Sequence, residues 1–432
     1  MEKEIQKVKS IKGELRVPSD KSISHRSIIL TSMADGTSTV KNFLKAGDTL
    51  TTVNVYRKLG IKITEDKGII KVNGKGLYGF SEPDDILDMG NSGTTTRLTL
   101  GLLSGQRFFS ALTGDESLRK RPMKRVSQPL KQMNAKIDGR NNGELLPLSV
   151  RGSDLKGINF FNKKASAQVK SALLIAGLMA EGETTVVEPY KSRDHTEKML
   201  KAMGADIHMY QQGEYTVQIK KTERLYPVDI DVPADPSSAA FFAAAAVILP
   251  DSELLLKDVL INPTRDGFFR KIKQMGAFVE YTNVREINGE PVADILVRYS
   301  DDLKAVQVVK EEIPSMVDEI PILAVVATQA EGDTVITGAS ELRVKESDRI
   351  KAVVENLKKV GVEVQELEDG MIIKGKSRIK GGYVDSYKDH RIAMAFSILG
   401  LISEDGIKIK DADCAYISYP EFFEHLQSVA VK

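Results

Sequence analysis

Lysine and arginine gather with Ser, Thr, Gly and Gln in five stretches of this chain. They are Lys21-Ser22-Ile23-Ser24-His25-Arg26, Asn91-Ser92-Gly93-Thr94 with Arg97, Arg119-Lys120-Arg121, Lys345-Glu346-Ser347-Asp348-Arg349 and Asp389-His390-Arg391. Guanidinium forks beside hydroxyl and backbone donors suit phosphates and carboxylates, because bidentate charge-assisted bonds orient an oxyanion as well as attract it. One stretch alone would read as a solvated face. Five of them at equivalent places in an internal repeat read as one divided anion site. The net charge is only +1 over 432 residues, so the attraction must be local rather than a field of the whole molecule.

Other chemistries are poorly served. Cys414 is the only cysteine, which excludes an internal disulfide and a multi-cysteine metal centre. The histidines His25, His195, His208, His390 and His425 have no zinc-type spacing, so no metal is expected. Gly90-Asn91-Ser92-Gly93-Thr94-Thr95 has the composition of a phosphate loop but lacks its Gly-Lys-Ser/Thr ending, and no dinucleotide fingerprint occurs. The start, Met1-Glu2-Lys3-Glu4, has no apolar signal core. The longest apolar run, Ala239 to Leu249, is too short to span a bilayer. A cytoplasmic protein with no membrane partner is expected. The basic run from Arg119 to Arg125 lacks interleaved aromatics, which argues against a nucleic-acid partner.

The elements that must position these residues recur with a period of roughly 70 to 80 residues. Ser22 to Val40, Asn91 to Phe109, Ser166 to Val187, Asp235 to Leu256, Pro314 to Ile336 and Asp389 to Ile409 each open with a polar turn, continue as an apolar helix and reach a β-branched strand. A second, amphipathic helix follows, with Phe268, Phe269, Ile272 and Met275 at helical spacing. Val17-Pro18-Ser19-Asp20-Lys21-Ser22 matches Val232-Pro233-Ala234-Asp235-Pro236-Ser237. The chain is therefore expected to cross between domains at both prolines, giving domains 18–232 and 1–17 plus 233–432, with a ligand cleft between them. Opening helices that run the same way would turn several N-termini, with their free N–H groups and dipoles, toward an anion. Ser237 and Ser238 are expected only to cap their helix.

In this order the stretches resemble the 5-enolpyruvylshikimate-3-phosphate synthase family, essentially end to end. The most specific pieces are DKSISHR at 20–26, LDMGNSGTTTRL at 87–98, GDESLRKRP at 114–122, ASAQVKSALLIAGL at 165–178, VKESDR at 344–349 and KDHRIAMAF at 388–396. The resemblance implies an α/β fold of two similar domains, each of three repeated βαβαββ units. This is an inside-out α/β barrel, the enolpyruvyl transferase fold, with the active site in the interdomain cleft. It implies a transferase of the shikimate pathway, in aromatic amino acid biosynthesis. The enolpyruvyl group of phosphoenolpyruvate passes to the 5-hydroxyl of shikimate 3-phosphate, releasing phosphate, with no cofactor and with the protein working as a monomer.

Carried over by motif, the resemblance implies that Lys21, Ser22, Arg26, Ser166, Ala167, Gln168, Arg193, Asp318 and Lys345 bind shikimate 3-phosphate. Lys21, Gly93, Arg121, Gln168, Arg349 and Arg391 are implied for phosphoenolpyruvate. The chemistry needs an acid and a base within hydrogen-bond reach of the reacting atoms. Asp318 is assigned to the 5-hydroxyl proton, Glu346 to proton traffic at C3, and Lys21 to the bridging oxygen and departing phosphate. Glu346 and Asp348 are placed in the first turn of a helix, with Asp348 as its cap, and His25 and His390 are read as packed supports.

The chain departs from the family pattern in three places. No lysine occurs in Ala415-Tyr416-Ile417-Ser418-Tyr419-Pro420, where many members have one; Ala167 replaces a second serine; and Leu98 stands where one branch has proline. With Ser192-Arg193-Asp194-His195-Thr196, these features look like the class II branch. Gly93 lacks the methyl that would crowd glyphosate, so glyphosate is expected to compete with phosphoenolpyruvate. Two alternatives are a UDP-N-acetylglucosamine enolpyruvyl transferase and a non-catalytic anion-binding repeat scaffold. The first usually has a loop cysteine and a Lys-Asn pair; this chain has Arg119 to Arg121 and Lys21-Ser22 instead.

Overall fold

The computed structural model describes residues 1–431. The chain forms two compact units: Ser19–Val232 with Ile287–Glu290, and Met1–Pro18 with Pro233–Glu286 and the chain from Pro291.

Within each unit one sheet plan recurs. Leu87–Asp88 lies parallel to Phe109–Thr113, which pairs antiparallel with Leu148–Arg151, which pairs antiparallel with Lys136–Gly139. Asn159–Phe161, Glu183–Glu188, Glu214–Lys220 and Ile207–Gln212 repeat that order. So do Gln307–Val308, Asp333–Ile336, Gly370–Lys374 and Val364–Leu367 in the second unit.

Two sheets take their leading strand from far along the chain. Ile230–Asp231 supplies the parallel partner of Asp35–Lys41, and Ser10–Leu15 supplies that of Glu253–Leu260. Each unit thereby closes its set of three repeats, and the chain leaves it at Val232 or Pro18. In the last repeat, Gly382–Asp385 lies parallel to Ile407–Lys410, and Lys3–Ile5 fills the antiparallel place. The strands make six open sheets, with no closed strand barrel among the described residues.

The helices that open the repeats of the second unit are largely apolar on every face, because they lie inside. Every residue of Pro236–Ile248, Ile320–Ala327 and His390–Gly400 is buried, and these three helices pack on one another. Phe241, Phe242, Tyr419 and Phe422 meet edge-on or tilted within this core. In the first unit Gly93–Ser104 packs against Ala167–Gly177. A Cβ at Gly101 would run into the Ala172 carbonyl, so glycine permits the close approach.

Two expectations need correction. The apolar helix of the fifth repeat does not run on from Pro314: a short helix, Ile313–Met316, ends, and Ile320–Ala327 begins after it with Pro321 in its first turn. Proline is pre-organised for a helix start and cannot donate in a helix interior. Asp318 therefore lies in a break between helices. Glu346 is not in a first helical turn either. It lies between the 3₁₀ turn Ser340–Val344 and the helix Arg349–Lys359, while Asp348 is the N-cap and accepts from Lys351 N at 3.0 Å.

Candidate functional site

The helices present their polar residues because the residue just before each does the capping. Asp20 accepts from Ile23 N at 2.7 Å, Ser92 from Thr95 N at 3.1 Å and Asp389 from Arg391 N at 2.9 Å. With caps supplied upstream, Lys21, Ser22 and Arg391 lie in the first turns of their helices with side chains not used for capping, and Gly93 opens its helix with bare backbone. Ser237 is not the cap expected of it. Asp235 accepts from Ser237 N at 2.8 Å, while the Ser237 hydroxyl donates to Glu319 and takes a bond from Arg265 Nη2 at 3.2 Å.

In the first unit, Gln168 donates to Thr94 Oγ1 at 2.9 Å and accepts from Arg97 Nη1. Thr94 and Gln168 belong to the first turns of their helices, so those two N-termini lie side by side. Arg121 is held there by Asn91, through the carbonyl at 3.2 Å and the side-chain oxygen at 2.6 Å, and by Ser117 at 3.3 Å. A Cβ at Gly93 would stand 2.9 Å from Arg97 Nη1 and 3.7 Å from Arg121 Nη1. Gly93, Arg121 and Gln168 therefore come together, with Arg97 as an added member.

Lys21 forms an ion pair with Asp48, both side chains largely buried. Asp48 received no role from the sequence; its only signal is an acid in the first turn after Gly47. Arg193 donates to Ser22 Oγ at 3.4 Å. Arg26 is buried, bonding Thr196 Oγ1 at 2.7 Å, Ser171 Oγ at 2.9 Å and the Ser22 carbonyl at 3.1 Å. It ties the helices Lys21–Ser32, Ala167–Gly177 and His195–Ala202 together beneath Ser22.

His25 is fully buried, with Nδ1 2.7 Å from Thr52 Oγ1. Burial, and then the Lys21 charge, push its pKa down to about 3. It is neutral at physiological pH, which fits a support rather than a base.

In the second unit a single guanidinium gathers the carboxylates. Arg349 is buried and donates from Nε to Asp389 Oδ2 at 2.9 Å, from Nη1 to Asp318 Oδ1 at 3.2 Å and from Nη2 to Glu346 Oε2 at 2.7 Å. Burial works against its charge, but Asp389, Glu346 and Asp318 outweigh it and raise the arginine pKa above its ordinary value. Ser347 Oγ also bonds Asp389, at 3.0 Å. Arg391 is buried, and its Nε has no hydrogen-bond partner among the described residues. A desolvated guanidinium N–H of this kind is costly unless an anion answers it. Lys345 lies 3.7 Å from Glu341.

Asp194, His195 and Glu290 have donor atoms within 4.8 Å of one another. Lys191 pairs with Asp194 at 2.8 Å and Lys198 with Glu290 at 3.0 Å. Both carboxylates already have ammonium partners, so the group reads as an ion-pair cluster rather than a metal site.

Against known proteins, the model of the EPSP synthase (3-phosphoshikimate 1-carboxyvinyltransferase) family matches residues 5–426. The 3-phosphoshikimate 1-carboxyvinyltransferase of Persephonella marina is 75% identical over 429 residues, 99% of each chain. That of Aquifex aeolicus is 54% identical, again over 99% of each. The EPSP synthase structure from Acinetobacter baumannii superposes with a TM-score of 0.88 at 42% identity, covering 100% of this chain and 98% of that one. The enolpyruvyl transferase NikO from Streptomyces tendae, at 16% identity and a TM-score of 0.78 over 99% of this chain and 97% of its own, shares the fold. The repeated α/β plan and the end-to-end similarity agree: the chain belongs to the EPSP synthase (3-phosphoshikimate 1-carboxyvinyltransferase) family.

Proposed function

We propose that the chain transfers the enolpyruvyl group of phosphoenolpyruvate to the 5-hydroxyl of shikimate 3-phosphate and releases inorganic phosphate. The observation that carries this reading is Arg349, whose one buried guanidinium holds both Asp318 and Glu346. A substrate carboxylate docking on that guanidinium would compete with them, and negative charges crowded together favour one of them holding a proton. An acid and a base then stand at the same place, as addition followed by elimination requires.

In the addition step the C3 carbon of phosphoenolpyruvate takes a proton and the hydroxyl oxygen bonds C2, losing its own proton. In the elimination step the C2–O bond to phosphate breaks and C3 returns a proton. We assign the hydroxyl proton to Asp318 and the C3 proton to Glu346. Lys21 neutralises the departing phosphate. Gly93, Arg121, Gln168, Arg349 and Arg391 hold phosphoenolpyruvate. Ser22, Arg26, Ser166, Ala167, Gln168, Arg193 and Lys345 hold or shape the acceptor site, Arg26 from beneath it.

The finer reading has the class II character of the Ser192–Thr196 segment, domains 18–232 and 1–17 plus 233–432, and a monomer working on diffusible substrates in the cytoplasm. No helix among the described residues is long and apolar enough to cross a membrane.

Phosphate release from phosphoenolpyruvate, measured with and without shikimate 3-phosphate, tests the reading. Release should require the acceptor and fall by about a thousandfold in Lys21→Ala and Glu346→Ala. Acceptor-independent release, or full activity in both variants, would refute it.

A further inference from the structure

Behind the acceptor-binding residues lies a group of charges that the reaction does not use. The side chains of Lys170, Glu188 and Glu197 are fully buried, and Lys170 Nζ pairs with Glu188 Oε2 and Glu197 Oε1 at 2.8 Å each. Burying three ionisable groups together is expensive, and an apolar packing of the same volume is often as stable. The bonds that Glu188 makes supply a reason for keeping it.

Glu188 Oε1 accepts from Asn162 Nδ2 at 2.7 Å, and that same amide donates to the Ser166 carbonyl at 3.0 Å. Both oxygens of Glu188 accept from Ser192 Oγ at 2.8 Å, and Oε2 also from Ser192 N at 3.2 Å. Lys170 Nζ adds a bond to the Ser192 carbonyl at 3.3 Å. One carboxylate at the end of the strand Glu183–Glu188 thus ties down two separate segments. The first is the turn carrying Ser166 into the helix of Ala167 and Gln168. The second is the turn carrying Arg193, whose guanidinium reaches Ser22. Ala165 in the first turn has a left-handed backbone, φ 46, which a residue with a Cβ holds only when its surroundings fix it.

We propose that Glu188 is a positioning residue for acceptor binding, setting the separation of Ser166 and Arg193 through Asn162 and Ser192 without touching the substrate. The inference rests on the acceptor assignments above. A phosphate gripped from two turns is bound well only if both are already in place, since ordering them on binding would subtract from affinity. Loss of Glu188 should therefore weaken shikimate 3-phosphate more than phosphoenolpyruvate: of the residues assigned to phosphoenolpyruvate only Gln168 follows one of these turns, and Thr94 and Arg97 hold it from other directions.

The test compares Glu188→Ala and Glu188→Gln with Asn162→Ala and Ser192→Ala, which cut the two bridges without stranding a charge. Wild type is assayed first for acceptor-dependent phosphate release; its absence would sink the functional reading itself. Given that activity, Asn162→Ala and Ser192→Ala should each raise KM for shikimate 3-phosphate about tenfold, with kcat and KM for phosphoenolpyruvate within about twofold. Glu188→Gln, which keeps an acceptor for Ser192, should recover part of what Glu188→Ala loses. Should both Glu188 variants fail to fold, the two bridge variants decide. Wild-type KM for shikimate 3-phosphate in folded variants, or equal rises for both substrates, would overturn the proposal.

Discussion

Arg349 Nη2 donates to Glu346 Oε2 over 2.7 Å, so the arginine assigned to phosphoenolpyruvate is bonded to the carboxylate assigned to its C3 proton. Arg349 also holds Asp389 and Asp318. Arg349→Gln should therefore strand acidic groups as well as remove a substrate contact. It should lower kcat/KM for phosphoenolpyruvate by at least about a hundredfold and cost about 3 kcal/mol of stability. Steady-state kinetics and urea unfolding measure the two effects. Arg349→Lys should not restore activity, since a point charge cannot serve three partners in one plane.

Lys21 shares its charge with Asp48. Asp48→Asn should loosen the hold on the ammonium and strengthen competitive inhibition by inorganic phosphate about fivefold, the equivalent of about 1 kcal/mol. Turnover should fall, because the ammonium loses the partner that aims it. Inhibition constants for phosphate in wild type and variant check this.

Gly93→Ala places a methyl against the guanidinium of Arg97, which in turn holds Gln168. The glycine needs no left-handed backbone there, so the strain is local crowding. KM for phosphoenolpyruvate should rise about tenfold, and the inhibition constant for glyphosate, the longer molecule, should rise further. An inhibition constant unchanged by the methyl would count against the steric account.

The buried neutral His25 makes stability depend on pH. Its pKa is about 3 in the folded chain and about 6.5 when unfolded. The unfolded state therefore binds the proton first as the solution is acidified. The contribution is fully present above about pH 6.5 and is lost progressively toward pH 3, about 2 kcal/mol of it by pH 5. Urea midpoints at pH 7.5 and pH 5 should differ less for His25→Gln than for wild type.

Much of this was legible in the residues. The apolar opening helices of the second unit are buried throughout, and an all-round apolar pattern in a chain this long predicts that. One compact unit runs from Ser19 to Val232, beside the paired Val-Pro segments, and it also takes in Ile287–Glu290, which the sequence pattern leaves with the other half. What stayed hidden depends on partners distant in sequence. Asp48 is an ordinary first-turn acid until Lys21 is beside it. The reach of Glu188 to both Asn162 and Ser192 has no local signature. Asp318 was identified by motif, but its place in a break between helices needed the backbone. Ser237 looked like a cap and is not one, because Asp235 accepts the backbone N–H first.

The central claim is an addition and elimination in which Glu346 moves a proton at C3. It is tested most directly by running wild type and Glu346→Gln in deuterated water with both substrates and weighing the product. The account predicts deuterium on the methylene carbon of the wild-type product and a rate of labelling at least about a hundredfold lower in the variant. Unlabelled wild-type product, or equal labelling rates in both proteins, would contradict it.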